Sequence, residues 1–307
     1  MLSAGKIKRA RSHRIKQSFG DITFDVVNSV LLLAALLLVL YPLIYVLSSS
    51  FSSTRAVTSG RVTLWPVEPT LYSYSIAMQY TKIWNGYLNS FFYMTVGTVV
   101  GVLMTILASY PLSRKKLRAR KVFSWIFLFT MLFSGGLIPT FLVVKALGLL
   151  DSVWAIALPG AVSAWNIIIM RTFFQNSIPE ELYESAELDG CSEFGMLVRI
   201  AIPLSGAIIA VIALFFAVWL WNSYYSSLIY ISSGNKFPLQ IILRDILVLN
   251  KADPTLMSNI EAYRAKQGLV DVLKYVLIVI ASVPLLVVYP FVQRFFVKGV
   301  MIGSIKG

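Results

Sequence analysis

Residues 26–50 read VVNSVLLLAALLLVLYPLIYVLSSS, an apolar run without a single charged side chain. The hydrocarbon core of a bilayer is about 30 Å thick, and a helix of about 20 apolar residues crosses it. Strands of a membrane barrel would instead alternate between polar and apolar residues over about ten positions. The run therefore predicts a membrane-spanning helix, and comparable runs predict five more at 88–111, 122–144, 153–170, 202–231 and 272–293.

The composition agrees with an all-α membrane protein of six transmembrane helices. Hydrophobic residues make up 57% of the chain and charged residues 13%, whereas soluble domains carry about 25% charged residues. The first apolar run is longer than that of a signal peptide, and no small-residue cleavage site follows it. We therefore expect this run to be retained as the first helix.

Lysine and arginine are concentrated in two short blocks, which hold 12 of the 27 basic residues. Cytoplasmic loops are enriched in these residues, so we expect both blocks, and with six spans both termini, on the cytoplasmic side. The net charge of +13 then reflects topology, and no nucleic-acid partner is predicted. The blocks are Lys6, Lys8, Arg9, Arg11, Arg14 and Lys16, and Arg114, Lys115, Lys116, Arg118, Arg120 and Lys121.

This sidedness divides the chain into consecutive regions. Segment 171–201 is expected inside, and segments 145–152 and 232–271 outside. The last of these is too long for a simple turn, so it either carries a short interfacial helix over 239–249 or is a solvated connector. The regions are a basic cytoplasmic N-terminus (1–25), a first helix (26–50), an extracytoplasmic loop (51–87), a five-helix core (88–293) and a cytoplasmic tail (294–307).

Several classes of function lack the residues that they need. Cys191 and His13 are the only residues of their types, which argues against a disulfide framework, a metal cluster or a Cys/His catalytic pair. No GxxxxGK[ST] phosphate loop is present, so the chain is not predicted to bind ATP itself. Secondary transporters usually carry ionisable residues near the bilayer midplane, and almost none occur here. No catalytic residue, cofactor or metal is predicted.

Glycine and proline recur within the predicted spans. Gly135, Gly136 and Pro139 interrupt the third span, and Pro159 and Gly160 interrupt the fourth, which predicts bent helices. Non-helical backbone is tolerated at membrane depth only where neighbours satisfy its polar groups. A GxxxG step at residues 97 and 101 allows close helix packing, either within the chain or against another subunit.

Segment 180–193 holds six of the fourteen carboxylates, on the side where basic residues normally dominate. Ser177 followed by Pro179 and Glu180 indicates a capping-box helix start, and Gly190 indicates the helix end. The carboxylates at 180, 184 and 187 would form one stripe that can meet a basic partner. The alternative, a loop lying on lipid headgroups, is disfavoured because anionic lipid repels carboxylates.

A second short helix is expected directly after this turn. Ser192 can cap it, with Phe194, Leu197 and Val198 along one side. Pro203 fits the first turn of the fifth predicted span. The sequence therefore predicts a helix–turn–helix elbow joined to a membrane span.

The spacing in this elbow resembles the EAA motif of permease subunits in bacterial binding-protein-dependent ABC importers. The family pattern is Glu-Ala-Ala, three residues, Gly, nine residues, then Ile-x-Leu-Pro. Here Glu184, Ser185 and Ala186 are followed at the same intervals by Gly190 and by 200-IAIP-203. Ser185 and Ile202 depart from the pattern, and both changes in size are mild.

Other segments resemble the sugar-importer branch of this family, which includes the smaller maltose permease subunit and the LplC-type carbohydrate permeases. They are 88-LNS-90, 108-ASYPLSR-114, 133-FSGGLIP-139, Trp221 with Asn222, and 296-FVKG-299. The resemblance covers the core well, and the first helix and second outer loop poorly. It implies the type I ABC importer permease fold in the bacterial cytoplasmic membrane.

The resemblance also implies partners and a coupling site. These partners are a second permease subunit, two copies of an ATP-binding subunit that carry the ATP and Mg, an extracytoplasmic solute-binding lipoprotein and an oligosaccharide. Segment 177–203 would be the coupling loop that sits in a cleft of the ATPase, and the C-terminal tail either contacts the ATPase or is a frayed terminus. The coupling residues would be Glu180, Glu184, Ser185, Ala186, Glu187, Asp189, Gly190, Phe194, Ile200 and Pro203.

Aromatic and amide side chains suggest where a sugar could pass, because aromatic faces stack on pyranose rings and amides hydrogen-bond to hydroxyls. The alternative is that the aromatics form an interfacial belt and that each asparagine bonds to a neighbouring helix. Basic residues slightly outnumber acidic ones in the outer loops, which favours an acidic sugar; a non-sugar solute or a secondary transporter are the alternatives. The candidates are Trp165, Asn166, Trp221, Asn222, Tyr224 and Tyr225.

Overall fold

A computed structural model describes residues 18–247, 268, 271–290 and 293, and none of these residues forms a strand. The first basic block, residues 248–267 and the tail from 294 lie outside the described residues. The first half of the chain contains α1 (Phe19–Ser50), α2 (Thr54–Thr58), α3 (Tyr72–Gln79), α4 (Thr81–Ser113), α5 (Arg120–Leu132), α6 (Leu137–Ala146) and α7 (Val153–Ala157).

The second half continues with shorter helices before a final long one. A π-helical segment (Leu197–Ala201) joins two of them, and a 3-10 turn (Gly234–Lys236) precedes the penultimate helix. The helices are α8 (Ala164–Ser177), α9 (Glu180–Leu188), α10 (Glu193–Met196), α11 (Ile202–Leu204), α12 (Gly206–Trp221), α13 (Tyr224–Tyr230), α14 (Leu239–Leu247) and α15 (Asp271–Pro290).

Within the described residues, three helices are long and apolar enough to cross a membrane, namely α1, α4 and α15. Helices α5 and α6 form a pair bent by 113°, which corresponds to the third predicted span. Gly136 has φ of +84° at this break and Pro139 lies in the first turn of α6, so the predicted interruption is found. The fourth predicted span consists of α7 and α8, which Pro159 and Gly160 separate.

The fifth predicted span, 202–231, is not one continuous helix as the apolar run suggested. The helical stretch Glu193–Leu204 meets α12 at an angle of 83°. Pro203 lacks the N–H that would continue the backbone ladder, and the π-helical turn before it has already shifted the hydrogen-bond register. A second break follows α12, where the Asn222 side chain donates to the Val218 carbonyl at 2.9 Å. Hydropathy alone could not reveal these breaks.

Helix α4 is the centre of the fold and packs against α12, α8 and α7. A Cβ atom on Gly97 would lie 2.6 Å from the Leu220 side chain, and one on Gly101 would lie 2.7 Å from the Phe216 ring. The GxxxG step therefore serves packing within the chain, since α12 occupies both positions. Of the two alternatives, the intra-chain one is correct.

Helix α1 stands apart from this core, as its sequence separation suggested. None of the residues in its most apolar stretch is buried. Its C-terminal end contacts segment 51–87, where the Tyr74 hydroxyl donates to Ser50 Oγ at 2.9 Å. This segment contains α2 and α3, and α4 begins at Thr81, earlier than the apolar run indicated.

Helix α14 (Leu239–Leu247) confirms the predicted helix over 239–249 for the residues that are described. Its side chains at 239, 241, 242 and 243 are buried, and those at 239, 242 and 243 pack in one cluster with Val272 and Val276 of α15. The helix packs into the core of the chain, and its position at the membrane interface stays a prediction.

Candidate functional site

The elbow between α8 and α12 begins differently from the predicted capping box. Ser177 is the last residue of α8, and α9 has Pro179 at its N-cap without a side-chain cap. A residue that precedes proline is disfavoured in helical conformation, and Ile178 is accordingly extended. The helix therefore starts at Glu180, and the predicted role of Ser177 was wrong.

The turn of the elbow closes as the sequence predicted. Gly190 has φ of +75°, its N–H donates to the Glu187 carbonyl at 2.9 Å, and the N–H of Cys191 donates to the Ala186 carbonyl at 2.9 Å. These two bonds form a Schellman closure, which needs a left-handed residue at this position. Ser192 then caps the next helix, because its hydroxyl accepts from Gly195 N at 3.2 Å.

Arg114, at the end of α4, is the centre of the charged groups beside this turn. Its side chain is 6% exposed, and it pairs with Glu180 at 3.3 Å and with Glu193 at 3.8 Å. The guanidinium carbon lies 3.8 Å from the centre of the Tyr183 ring. Burial raises the pKa of the Tyr183 phenol. Three elements thus meet at one buried cation.

The carboxylates of the acidic stripe differ in their contacts within the chain. Glu180 also pairs with Lys115 at 3.7 Å, and Glu187 pairs with Lys116, so both are already bound by the basic block of the same chain. Contact of these two residues with a basic partner stays a prediction. In the sequence analysis Arg114 served only to predict which side of the membrane its loop faces, so its contact with the elbow was not predicted.

A second set of elbow residues remains exposed. Glu181, Glu184 and Asp189 form no ion pair within the part of the chain that the structure describes. Beside them, Leu188 is 91% exposed and Phe194 is 69% exposed. These five residues form what we call the outer elbow face, which combines free carboxylates with apolar side chains.

The remaining predicted coupling residues hold the elbow together or line its edge. Ala186 and Ile200 are half-buried and pack against the core cluster around α4. Ser185 is exposed, and its hydroxyl donates to the Glu181 carbonyl at 2.8 Å. Pro203 lies in the short helix α11, before the 83° bend, and not in the first turn of the long helix α12.

The structure does not bring the predicted sugar-path residues together as one surface. Trp221 is 2% exposed, its Nε1 donates to the Ala281 carbonyl at 3.1 Å, and its ring packs against Phe91. Trp221 therefore packs inside the helix bundle, a position that neither the sugar path nor the interfacial belt predicted. Asn166 is also buried, whereas Trp165, Asn222 and Tyr225 are exposed and Tyr224 is half-buried.

The opposite end of the molecule carries a charged cluster that the sequence reading missed. The Asp151 carboxylate accepts from Ser232 N at 3.0 Å, from Ser233 N at 2.9 Å and from Lys236 Nζ at 2.8 Å. These bonds, chiefly those from Lys236 and Ser233, hold the pKa of the Asp151 carboxyl well below its usual range. Lys236 is one of the basic residues on which the charge argument for an acidic sugar rests, and its pairing with Asp151 weakens that argument.

Metal ligands are not assembled at either end. Within residues 18–247 and the described part of α15, no group of three His, Cys, Asp or Glu side chains could hold a metal ion. The elbow offers contact surface and hydrogen-bonding groups, which suit the binding of a protein.

Comparisons with known proteins agree with one another. A family model described as binding-protein-dependent transport system inner membrane component matches residues 97–302. The polygalacturonan/rhamnogalacturonan transport system permease protein YtcP of Bacillus subtilis is 41% identical over 92% of this chain and 98% of that protein. Protein LplC of the same organism is 39% identical over 97% of this chain and 100% of that protein.

One solved structure is similar over nearly the whole chain. It belongs to a bacterial ABC transporter involved in the import of the acidic polysaccharide alginate. The match has a TM-score of 0.82 with 36% identity, and it covers 92% of this chain and 99% of that one.

Proposed function

The chain belongs to the family of binding-protein-dependent transport system inner membrane components, and on that premise we propose that it is a permease subunit of an ATP-driven carbohydrate importer. The family consists of transport components and not of catalysts. The observation that carries the proposal is the elbow at 177–203, because its Schellman turn and exposed outer elbow face are joined directly to the apolar helix α12, with which it forms a bent pair long and apolar enough for a broken membrane span.

We propose six spans with both termini in the cytoplasm, where α7 and α8 together make the fourth span. The contacts between loops support this topology. The basic block at 114–121, which should be cytoplasmic, contacts the elbow through Arg114 and Glu180. At the other end, Asp151 contacts Lys236, and both lie in segments that should be extracytoplasmic.

The proposed mechanism is alternating access driven from the cytoplasmic side. Two copies of a separate ATP-binding subunit hold the ATP and Mg, and closure of these subunits moves the elbow. This chain and a second permease subunit then open outward to receive the sugar from an extracytoplasmic solute-binding lipoprotein. Glu184, Leu188 and Phe194 of the outer elbow face would lie in the ATPase cleft, because they are exposed and Glu184 forms no ion pair within the described residues.

The substrate class that we propose is an oligosaccharide of acidic sugars. Two similar proteins support it, since one is named for polygalacturonan and rhamnogalacturonan transport and the other belongs to a transporter of alginate. Exposed outer cations such as Arg55 and Lys82 form no ion pair within the described residues. Trp165 and Tyr225 remain candidates for stacking on a sugar ring because both are exposed.

Reconstituted vesicles test this proposal. The complete complex is assembled with its solute-binding protein, and uptake of a labelled galacturonide oligomer is compared with uptake of a neutral oligosaccharide of equal length. We expect uptake that requires ATP and is indifferent to a proton gradient. Uptake driven by the proton gradient without ATP would overturn the importer assignment, and a preference for the neutral sugar would overturn the substrate class.

A further inference from the structure

Helix α4 makes polar contacts with segments far apart in sequence, at its C-terminal end and at residues 89–93 in its N-terminal half. At its inner end Arg114 binds the elbow through Glu180 and Glu193. Near its outer end, Ser90 Oγ accepts from Leu239 N at 2.9 Å, and the Tyr93 hydroxyl donates to the Lys236 carbonyl at 2.8 Å. At 1.5 Å rise per residue, Ser90 and Arg114 lie about 36 Å apart along the helix.

Breaking the ion pairs between Arg114 and the elbow costs free energy. Arg114 is buried, and removing the partners of a buried charge leaves it uncompensated. Its two carboxylates come from different elements, since Glu180 begins α9 and Glu193 begins α10. The Tyr110 hydroxyl of α4 also donates to Glu193, at 3.2 Å. The elbow is therefore held on both sides of its turn.

The outer attachment is equally specific. Asn89 Nδ2 donates to the carbonyls of Asn235 and Phe237, at 2.8 and 3.0 Å. The segment that receives these bonds includes Lys236, which binds Asp151 in turn. A displacement of α4 along its axis would thus act on the outer loops through several directional bonds at once.

We propose that Arg114 is a positioning residue that fastens the elbow to α4, so that α4 carries movement of the elbow to the outer segment 233–239. This inference rests on the proposed function, because it presumes that an ATPase moves the elbow. The structure supplies a continuous helix with polar attachments to both segments, and a contiguous network of packed and hydrogen-bonded groups of this kind can carry energetic coupling between distant sites. Arg114 contacts neither sugar nor ATPase in this role.

The test measures sugar transported per ATP hydrolysed in the complete reconstituted complex. Arg114→Gln is compared with Arg118→Gln, which removes the same charge from an exposed side chain of the same loop. We expect about a tenfold lower ratio for Arg114→Gln, while the ATPase subunits still co-purify, and an unchanged ratio for Arg118→Gln. An unchanged ratio for Arg114→Gln, or loss of the ATPase subunits from that complex, would overturn the proposal.

The outer end provides an independent measurement. Asn89→Ala should also lower the ratio, and the double variant with Arg114→Gln should be no worse than the more severe single variant, because both changes interrupt one connection. Additive losses would mean that the two ends act separately and would overturn the role of α4. If the unmodified complex shows no ATP-dependent uptake, the proposed function fails instead.

A milder variant covers the case in which Arg114→Gln does not accumulate in the membrane. Glu193→Gln removes one partner from a side chain that is 53% exposed and leaves the pair with Glu180 in place. We expect a severalfold loss of transport per ATP in an intact complex. An intact Glu193→Gln complex with the normal ratio would refute the attachment.

Discussion

The two ends of α4 both gather charged side chains, yet they differ in how completely those charges are satisfied. Around Asp151, four donors from the short segment 232–236 fill a single carboxylate. Around Arg114, two carboxylates from separate elements share one buried cation, while Glu184 nearby forms no ion pair within the described residues. A closed cluster fixes two loops together, whereas a cluster with free groups beside it can also bind a partner.

The largest expected effect comes from comparing two carboxylates of the elbow, one that forms no ion pair within the described residues and one that does. Glu184→Lys should lower ATP-dependent transport about a hundredfold, because a cation would face the basic groups expected on the ATPase. Glu187→Lys makes the same charge change where Lys116 already binds the carboxylate, and it should stay within about fivefold of normal transport. Uptake by reconstituted vesicles measures both. Equal losses would show that the division of the acidic stripe has no functional meaning.

A smaller effect compares two left-handed glycines, one at each end of the molecule. Gly190 in the elbow and Gly148 after α6 have φ of +75° and +67°, and a Cβ atom on either would meet nothing within 4 Å. Alanine at either position should therefore cost about 1 to 2 kcal/mol of stability for conformational reasons alone. Thermal unfolding checks this equality.

Transport should distinguish these glycines where stability does not. We expect Gly190→Ala to reduce uptake, because the Schellman turn sets the angle between α9 and α10, and Gly148→Ala to leave uptake nearly unchanged. Matched losses of transport would indicate that stability, and not elbow geometry, limits the protein.

The smallest effect concerns pH and the closed outer cluster. The folded-state pKa of Asp151 is depressed, so its contribution to stability is present above the unfolded value of about 3.9 and is lost as the pH falls through the folded value. Asp151→Asn should lower the melting temperature at pH 7, and the difference from the unmodified protein should shrink at strongly acidic pH. A difference that does not change with pH would contradict the assigned bonds.

The elbow shows which parts of the site could be predicted from sequence. The turn at Gly190 and the cap at Ser192 follow from local backbone chemistry, and both are found. Arg114 could not be assigned in this way, because its partners are 66 and 79 positions away along the chain and only tertiary packing brings them together. Trp221 illustrates the same limit, since composition does not reveal which way a side chain faces.

The spans show the corresponding limit for the fold. Apolar runs located α1, α4 and α15, because hydropathy reports which residues avoid water. The 83° angle beside Ser205 lies inside one uninterrupted apolar run, and only Pro203 gave a local signal of it. Whether a residue belongs to a membrane span follows from the composition around it. The direction of the helix within that span is set by a few backbone hydrogen bonds.

Cys191 directly follows the left-handed glycine of the elbow, and its N–H completes the Schellman closure. It is the only cysteine in the 307 residues, and it is partly exposed. A thiol-reactive fluorophore or spin label on this chain therefore attaches at the elbow without any engineered cysteine. The native sequence thus provides a site for a spectroscopic label at the elbow, where movement of the ATPase subunits is proposed to be transmitted to the membrane helices.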